Sequence, residues 1–428
     1  MYYKSKVKIV RNMEFVKLTS DTIKQQLLNL RQIVFEVTDS CNLKCKYCGY
    51  GEFYGSYDKR EEQNLPFEKA KLLIDYLFSL WKDSNVDFYN RVLTVSFYGG
   101  EPLLNISFIK QIQEYLETTY IDYLDIKYSM TTNAILLDRY MDYLVEHKFS
   151  LLISLDGDRE SQGYRVDHHG TNSFDRVFKN VKLLQEKYPD YFETNVNFNS
   201  VLHDRNNTTD IYRFMKHEFG KISMLSELNT SGIREDKRNE FSKVFQSKQF
   251  DFYRALSNYP QLINEMFYDV ADTKMLYLYL EQFSGNLYKY YTDLLVDKSQ
   301  IPYIPTGTCL PFSKKIFLTV NGKILPCERI DQKYVLGMVD EEKVVLDFDK
   351  IALFYNTVFE KIEKQCNKCY RNKFCQQCMF YISDLEEGGV CHGFMNKEEF
   401  DQFVLSQKRY LRKNPQLYRR IMEELSIY

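Results

Sequence analysis

Residues 32–48 of the chain read QIVFEVTDSCNLKCKYC, and this stretch decides the fold. Its first six residues are rich in β-branched and aromatic side chains, which predicts a strand. Cys41, Cys45 and Cys48 follow that strand directly. Three thiolates on one short loop can hold three corners of a cubane cluster, whereas full ligation of a [4Fe–4S] cluster by protein takes four cysteines. One iron would therefore stay open to a ligand from outside the chain.

Two other interpretations of this loop are a zinc site and three unrelated buried thiols. Zinc usually takes four ligands, and its cysteines typically come in pairs. Histidine is scarce in this chain, and none lies near the loop. The residue pattern therefore favours the iron–sulfur interpretation and leaves zinc as the alternative.

Beyond the loop, the sequence alternates between strand and helix patterns. Strands are expected at 32–37, 92–98, 126–132, 149–155, 194–201 and 222–228, and helices at 66–81, 106–116, 138–147, 173–187 and 208–218. Such alternation predicts an α/β fold with parallel strands. Six units are too few for an eight-fold barrel, so we expect a partial (β/α)6 barrel, with its functional groups at the carboxyl ends of the strands.

The rest of the chain divides into further segments by pattern. Residues 237–296 are helical and rich in aromatic residues, and Asn321-Gly322 lies between two apolar runs, which predicts a β-hairpin at 316–327. A cysteine-dense stretch at 366–391 and a helical stretch from Lys397 follow. We expect five segments: 1–31 N-terminal, 32–235 barrel, 236–300 helical bridge, 301–395 cysteine-rich domain and 396–428 C-terminal helices.

Composition excludes several classes of protein. The chain of 428 residues has 57 Lys+Arg and 59 Asp+Glu, and no basic tail, so a nucleic-acid partner has no electrostatic support. The start, residues 1–17, lacks the apolar core of a signal peptide, and no apolar run is long enough for a membrane span. We therefore expect a cytoplasmic protein, in which ten reduced cysteines indicate metal binding or redox chemistry.

The loop CxxxCxxC, with the aromatic Tyr47 before its last cysteine, is similar to the signature of the radical SAM superfamily. The resemblance implies that Cys41, Cys45 and Cys48 bind a [4Fe–4S] cluster whose open iron is chelated by the amino and carboxylate groups of S-adenosylmethionine (SAM). One electron from the cluster would then break the sulfonium bond and give methionine and a 5′-deoxyadenosyl radical. It also makes Tyr47 a cofactor contact and implies a reducing electron donor such as flavodoxin or ferredoxin.

Polar groups after the next strands fit SAM by the same resemblance. Gly99-Gly100-Glu101 follows the second strand and resembles the family's GGE motif, which binds the SAM amino group. Asn133 and Ser154, after the third and fourth strands, would face the ribose and methionine portions. Arg165 would bind the carboxylate, because a guanidinium suits that group. The alternatives are ordinary turn residues and, for Arg165, a solvated surface charge; adenine contacts stay open.

Seven further cysteines lie between 309 and 391, and two closely spaced CxxC pairs among them can make a zinc site. Their order, with four residues between Gly322 and Cys327, resembles the SPASM domain, which carries two auxiliary [4Fe–4S] clusters. The resemblance assigns the first cluster, whose fourth ligand stays open, to Cys309, Cys327 and Cys378. It assigns the second cluster to Cys366, Cys369, Cys375 and Cys391. The chain would then hold three [4Fe–4S] clusters in all.

The two resemblances together imply a peptide or protein substrate. We expect a radical SAM peptide maturase that abstracts hydrogen from a ribosomally made peptide and forms a thioether or carbon–carbon crosslink. One alternative is an anaerobic sulfatase maturase that makes formylglycine, in which an acidic residue at the position of Glu328 acts as base; the other interpretation of Glu328 is an exposed hairpin-end carboxylate. A non-catalytic iron–sulfur or zinc scaffold is the alternative from another class.

Overall fold

Six parallel strands form the core of the computed structural model, which describes residues 15–55, 57–84, 92–120, 124–230, 232–267, 271–283, 304–382 and 389–424. Each strand pairs with the next one along the chain. The strands are β1 (Gln32–Thr38), β2 (Val92–Gly99), β3 (Asp125–Thr132), β4 (Ser150–Ser154), β5 (Val196–Val201) and β6 (Met224–Ser226). The six predicted strands and the parallel α/β class are thereby confirmed.

Helices join these strands because each crossover between parallel strands needs a long connection. They are α1 (Ser20–Leu28) before β1, then α2 (Phe67–Asp83), α3 (Ile106–Thr119), α4 (Leu137–Glu146), α5 (Phe174–Lys187), α6 (Pro189–Asn195) and α7 (Thr208–Phe219). Pro66 precedes α2, where its missing N–H costs no hydrogen bond. The buried residues Leu73, Ile74, Leu77 and Trp81 fall on one face of α2. Helical spacing of apolar residues therefore predicted this element correctly.

The two faces of the parallel sheet differ in polarity. On the outer face, Phe35 packs against Phe108 of α3 with ring centroids 5.9 Å apart. On the inner face, Gln32 Nε2 donates to Ser96 Oγ at 2.7 Å, and Ser96 Oγ lies 2.6 Å from Ser129 Oγ. Alternate residues of a strand point to opposite faces, which separates these two sets. The inner face is thus lined by polar groups that a polar ligand can use.

A hairpin late in the sequence extends the same sheet. Its strands β7 (Ile316–Leu318) and β8 (Lys323–Leu325) are followed by β9 (Gly337–Val339) and β10 (Val344–Leu346), which gives the order β10-β9-β8-β7-β1-β2-β3-β4-β5-β6. The predicted hairpin is confirmed, and Gly322 adopts φ +80° at its turn. A Cβ at Gly322 would lie 2.4 Å from the Val339 carbonyl oxygen, so the turn requires glycine. The parallel pairing of β7 with β1 was not predicted.

The chain divides into two compact units. The barrel unit comprises Lys24–Met266 and Pro311–Asp347, and the second unit comprises Met1–Ile23, Phe267–Leu310 and Phe348–Tyr428. The barrel unit also contains α8 (Arg238–Val244), α9 (Lys248–Asn258) and α10 (Leu262–Glu265). The expected helical bridge at 236–300 is helical as far as it is described, and residues 284–300 lie outside the described part.

The second unit is helical and has its own apolar core. Its helices are α11 (Ala271–Phe283), α12 (Phe348–Cys366), α13 (Lys397–Lys413) and α14 (Gln416–Glu424). Leu276 and Leu280 of α11 pack with Leu417 and Ile421 of α14. The expected C-terminal helices are confirmed, whereas the 19-residue helix α12 was not predicted. No helix in the described residues combines the length and the apolar character needed to cross a membrane.

Candidate active site

The front cysteine loop, residues 41–48, leaves the carboxyl end of β1 and is held by backbone hydrogen bonds. Lys44 N donates to the Val166 oxygen at 2.7 Å, and Lys46 N donates to the Tyr164 oxygen at 3.1 Å. Within the loop, Cys48 N donates to the Cys45 oxygen at 3.2 Å. The loop is therefore fixed to the segment that follows β4. It lies where a parallel fold places its functional groups, as predicted.

Several N–H groups point at the sulfurs of this loop. Leu43 N and Arg60 Nη2 lie 3.4 Å from the Sγ atoms of Cys41 and Cys48 respectively, and Asn133 Nδ2 lies 3.7 Å from Cys41 Sγ. Hydrogen bonds to sulfur are one of the means by which proteins adjust iron–sulfur clusters. The donors suit a thiolate better than a thiol, because a thiolate is the stronger acceptor.

Burial favours the neutral thiol over the thiolate at two of these cysteines. It raises the pKa of Cys41 to about 11 and that of Cys45 to about 12. Ligation requires the deprotonated thiolate, so a bound cation must supply the stabilisation that burial removes. Three partly buried cysteines on one loop, two of them with N–H donors to sulfur and no fourth cysteine beside them, fit a [4Fe–4S] cluster with one open iron.

The turn Gly99-Gly100 packs against the chain just before Cys41. Gly99 has φ +122°, a conformation that favours glycine. A Cβ at Gly100 would lie 1.9 Å from the Ser40 carbonyl oxygen. Gly100 N donates to the Thr38 oxygen at 2.8 Å, and Glu101 N donates to the Ser40 oxygen at 2.9 Å. The two glycines thus allow close approach to the chain's own backbone, and the turn positions the cysteine loop.

The Glu101 carboxylate is buried and bonded within the protein. Its Oε1 accepts hydrogen bonds from Thr132 Oγ1 at 2.7 Å and Leu103 N at 3.1 Å, and its Oε2 accepts from Asn133 N at 2.7 Å. Burial raises the pKa of Glu101 to about 7. Glu101 therefore fixes the end of β3 beside the cysteine loop, and its contact with the SAM amino group stays a prediction.

Asn133 and Ser154 lie at the ends of neighbouring strands. Asn133 Nδ2 also donates to Asn42 Oδ1 at 2.7 Å, which ties the end of β3 to the cysteine loop. Ser154 stands opposite Asn199 of β5 in the sheet register. Asn199 Oδ1 accepts a hydrogen bond from Ser226 Oγ of β6 at 2.6 Å. Sequence reasoning missed Asn199 and Ser226, although the alternation of Asn197 and Asn199 in β5 was a signal for them.

Arg165 forms a buried ion pair and does not lie on the surface. Its Nε and Nη2 each lie 3.0 Å from an oxygen of Asp156, and the two side chains are 8% and 0% exposed. The interpretation of Arg165 as a solvated surface charge is therefore wrong. Burial opposes ionisation of Asp156, but Arg165 and His203 outweigh it and lower the pKa of Asp156 to about 2.

Tyr47 joins the same network from the cysteine loop. Its hydroxyl donates to the Asp156 carboxylate, and its ring stacks on His203 with centroids 5.6 Å apart. The guanidinium of Arg165 lies 5.4 Å from the centre of the Tyr47 ring. Nothing in the sequence singled out Asp156, yet it connects the loop to the end of β4. No local pattern could show this, because the partners lie 109 residues apart.

Glu328 follows Cys327 after β8 and is nearly buried. Its side chain is 11% exposed, so it is not the solvated hairpin-end carboxylate that was one interpretation. Its Oε1 accepts a hydrogen bond from Lys315 Nζ at 3.0 Å, and its Oε2 is buried with no partner in the described residues. Burial raises the pKa of Tyr98, and the negative charge of Glu328 adds to this rise. Glu328 therefore lies near the carboxyl end of β2.

Four of the rear cysteines line one cavity in the second unit. They are the predicted second auxiliary set, Cys366, Cys369, Cys375 and Cys391. Cys369 Sγ accepts a hydrogen bond from Met395 N at 3.3 Å. A Cβ at Gly307 would lie 2.2 Å from the Cys375 carbonyl oxygen, so this cavity too depends on a glycine contact. All four side chains line this cavity, and their binding of an auxiliary cluster stays a prediction.

Of the predicted first auxiliary set, Cys309 and Cys378 belong to the second unit and Cys327 to the barrel unit. Burial raises the pKa of Cys378, with a smaller contribution from the charge of Cys309. The grouping of these two with Cys327 stays a prediction.

When cysteines bind one zinc ion, each zinc–sulfur distance is about 2.3 Å and the sulfur atoms lie about 3.8 Å from one another. In a cubane each cysteine binds a different iron, so the sulfur atoms lie farther apart. In the part of the chain that is described, no three His, Cys, Asp or Glu side chains are arranged to hold a metal ion.

Residues 35–217 match the family model described as the radical SAM superfamily. The chain is 25% identical over 388 residues to a cysteine-type anaerobic sulfatase-maturating enzyme of Clostridium perfringens, covering 87% of this chain and 95% of that relative. It is 26% identical over 223 residues to the radical SAM cyclopropyl synthase TigE of Paramaledivibacter caminithermalis, covering 50% of this chain. That match spans only 43% of the cyclopropyl synthase.

Among solved structures, the fold is similar to native anSMEcpe with bound AdoMet and Kp18Cys peptide. The TM-score is 0.58 at 19% identity, and the match covers 91% of this chain and 98% of that chain. At this level of identity the likeness concerns the fold. It extends over the barrel strands and the cysteine-rich region alike.

Proposed function

We propose that this chain, whose residues 35–217 match the radical SAM family model, is a radical SAM enzyme that modifies a ribosomally made peptide. When bound, the front cluster and SAM supply one-electron chemistry, in which reductive cleavage of SAM yields methionine and a 5′-deoxyadenosyl radical. The enzyme would use that radical to abstract hydrogen from a peptide side chain. The product would be a thioether or carbon–carbon crosslink.

The residues of the barrel unit have distinct roles in this proposal. Cys41, Cys45 and Cys48 hold the cluster, and the turn at Gly100 keeps their loop against the end of β1. Asp156 fixes the guanidinium plane of Arg165 through two hydrogen bonds, which orients its remaining N–H groups for the SAM carboxylate. Four cysteines of the second unit would hold an auxiliary cluster.

The observation that carries the proposal is the environment of Glu328. A nearly buried carboxylate near Tyr98, with one oxygen that has no partner in the described residues, supports a role for Glu328 as a proton acceptor. After hydrogen abstraction, bond formation needs the substrate to lose a proton and an electron. Glu328 would take the proton, and an auxiliary cluster would take the electron.

Sulfatase maturation is the second candidate. The sulfatase-maturating relative is matched over 95% of its length, which is far more than the cyclopropyl synthase. In this reaction the substrate is also a peptide side chain, and formylglycine is the product. Both candidates therefore need the same front cluster and a base, and they differ in the substrate and the bond formed.

The test begins with SAM cleavage by the anaerobically reconstituted protein with dithionite. Formation of 5′-deoxyadenosine is expected, and its absence at full iron content would favour the non-catalytic scaffold. Candidate peptides labelled with deuterium at the side chains are then supplied, one encoded beside the gene and one from a sulfatase. Transfer of deuterium to 5′-deoxyadenosine identifies the substrate by mass spectrometry.

The products separate the two candidates. A crosslinked peptide loses two hydrogen atoms, whereas formylglycine formation from cysteine loses one sulfur and two hydrogen atoms and gains one oxygen. The variant Glu328→Gln should still cleave SAM but form little product, with a loss of about 10²-fold or more. Full product formation by Glu328→Gln would contradict its role as base, and an unlabelled 5′-deoxyadenosine with every peptide would contradict peptide modification.

A further inference from the structure

Arg60 lies against the front cysteine loop without an acidic partner. Its Nη2 lies 3.4 Å from Cys48 Sγ, and its guanidinium carbon lies 4.4 Å from the centre of the Tyr50 ring. Its Nε is buried and has no hydrogen-bond partner in the described residues. The guanidinium is half-buried and stays charged at all ordinary pH values. A half-buried positive charge of this kind calls for a negative counterpart.

The carboxylates on the neighbouring segments already have other partners. Asp39 accepts hydrogen bonds from the backbone N–H groups of Glu61 at 2.8 Å and Gln63 at 2.7 Å. Asp58 pairs with Lys323 Nζ at 2.7 Å. These contacts fix the chain on both sides of Arg60. Among the described residues, neither of these carboxylates is left to neutralise Arg60.

A third carboxylate, that of Glu36 beside Tyr50, also has hydrogen-bond partners. Glu36 accepts hydrogen bonds from the Tyr50 hydroxyl and from Val320 N, the latter at 3.0 Å. Its bond to Tyr50 holds the ring on which the guanidinium of Arg60 stacks. Arg60 is thus kept in place by an aromatic ring and left free to direct its charge at Cys48.

Two other cations beside the loop are paired with carboxylates, and Lys44 on the loop is exposed to solvent. Lys46 Nζ pairs with Glu240 at 2.9 Å, and Arg165 pairs with Asp156 at 3.0 Å. The remaining donors to sulfur, Leu43 N and Asn133 Nδ2, carry no charge. Arg60 is therefore distinguished from its neighbours by combining an uncompensated charge with a hydrogen bond to a cluster sulfur.

We propose that Arg60 is the counter-charge of the front cluster and raises its reduction potential. The inference rests on the cluster of the proposed function. A [4Fe–4S]²⁺ core with three thiolates carries a net charge of −1, and one-electron reduction makes it −2. A fixed positive charge at Cys48 stabilises the reduced state more than the oxidised state. Arg60 thus makes electron uptake from the donor easier, as a positioning and tuning residue that need not touch the substrate.

The experiment measures the potential of the front cluster in the full-length, anaerobically reconstituted protein. Redox titrations followed by electron paramagnetic resonance, with and without SAM, identify the front cluster by its response to SAM. In Arg60→Met and Arg60→Gln, the ratio of reduced to oxidised front cluster at a fixed potential should fall about tenfold, a shift of about 59 mV to more negative values. Arg60→Lys should keep most of the wild-type potential.

Arg205 supplies a matched control. Its guanidinium also stacks on a tyrosine, 4.1 Å from the centre of Tyr164, and its Nη1 donates to the Gly163 oxygen at 3.2 Å. The structure shows no bond from it to a cysteine sulfur. Arg205→Gln should therefore leave the potential of the front cluster unchanged.

The iron content of each variant shows whether the cluster is still bound, and the reduction potential tests the tuning role. An unchanged potential in Arg60→Gln or Arg60→Met, at any iron content, overturns the inference. An equal shift in Arg60→Lys and Arg60→Met overturns the role of charge. The proposed function fails separately, because the wild-type cluster can be titrated even if no peptide is modified.

Discussion

The front cysteine loop and the rear cysteine cavity hold their sulfurs in different ways. In front, three cysteines follow β1 directly and are tied by backbone hydrogen bonds to Tyr164 and Val166. In the rear, four cysteines are spread over residues 366–391, from the end of α12 through short turns. The sheet shapes the first site before any metal arrives, whereas in the second the cluster itself would fix much of the geometry.

The number of cysteines explains this difference. A site with three sulfurs must keep one iron accessible, so the protein has to position the loop independently of the cluster. A site with four sulfurs can be closed around the cluster and can rely on the metal–sulfur bonds. Preorganisation by the sheet is thus expected where an exchangeable ligand binds, and the comparison can be tested by disturbing each site in turn.

The largest effect is expected from removing the cysteines themselves. Replacing Cys41, Cys45 and Cys48 by Ala should abolish formation of 5′-deoxyadenosine. Replacing the four cysteines of the rear cavity should leave SAM cleavage uncoupled from product formation. Both are measured by chromatography of the reaction with SAM and dithionite. SAM cleavage by the front triple variant would break the assignment of the two sites.

The next largest loss of SAM cleavage is expected from adding one methyl group at Gly100. Gly100→Ala places a Cβ 1.9 Å from the Ser40 oxygen, so the backbone before Cys41 must shift. A shift of about 1 Å at a reacting centre can lower the rate by about 10²-fold. We expect that loss in SAM cleavage, together with reduced iron at the front site.

The matched change in the rear is Gly307→Ala, whose Cβ would lie 2.2 Å from the Cys375 oxygen. This variant should lose iron from the rear cavity and keep SAM cleavage within a few-fold of the wild type. Iron analysis and 5′-deoxyadenosine yield are measured on both variants. If both lose SAM cleavage equally, the two sites are not independent in the way described.

Asp156→Asn tests how rigidly the front site is built. Removing one partner of a buried ion pair leaves Arg165 uncompensated, which costs about 3–5 kcal/mol of stability. In the wild type, the lowered pKa of Asp156 contributes stability above the unfolded pKa of 3.8, and this is lost as pH falls towards about 2. Denaturant unfolding at pH 7 and acid unfolding curves measure both effects. A variant as stable as the wild type would show that the ion pair is dispensable.

The smallest expected effect is the change with pH in the stability that Glu101 contributes. Because burial raises its folded pKa to about 7 from an ordinary value of 4.5, the folded state binds the proton more tightly than the unfolded state. The contribution of Glu101 to stability should therefore decline by about 1–3 kcal/mol as pH rises from 4.5 through 7. Glu101→Gln should flatten this decline in thermal unfolding between pH 5 and 8. An identical decline in the variant would assign it to another group.

Much of the fold could be predicted from the sequence because the patterns that indicate it lie in short stretches of the chain. The alternation of strands and helices, the hairpin at Asn321-Gly322 and the spacing of the cysteines each occupy a few consecutive residues. The resemblance to the SPASM domain grouped Cys366, Cys369, Cys375 and Cys391, and these four side chains line one cavity.

The rest depends on partners that are distant in the chain. The role of Asp156 was missed because its bond to Tyr47 spans 109 residues. Gly99 and Gly100 resembled part of a ligand-binding motif, and only the structure shows that they make room for the backbone of Thr38 and Ser40. Burial of Glu328 likewise depends on where its hairpin lies, which no local pattern reveals.

The pairing of β7 with β1 has a consequence for how the protein can be shortened. A fragment that stopped after the last barrel helix would strip β1 of its neighbour and expose a row of unpaired N–H and C=O groups. Exposed edges of this kind invite intermolecular pairing and aggregation. Residues 311–347 are therefore part of the smallest piece of the barrel that should resist aggregation, although they follow the last barrel helix in sequence.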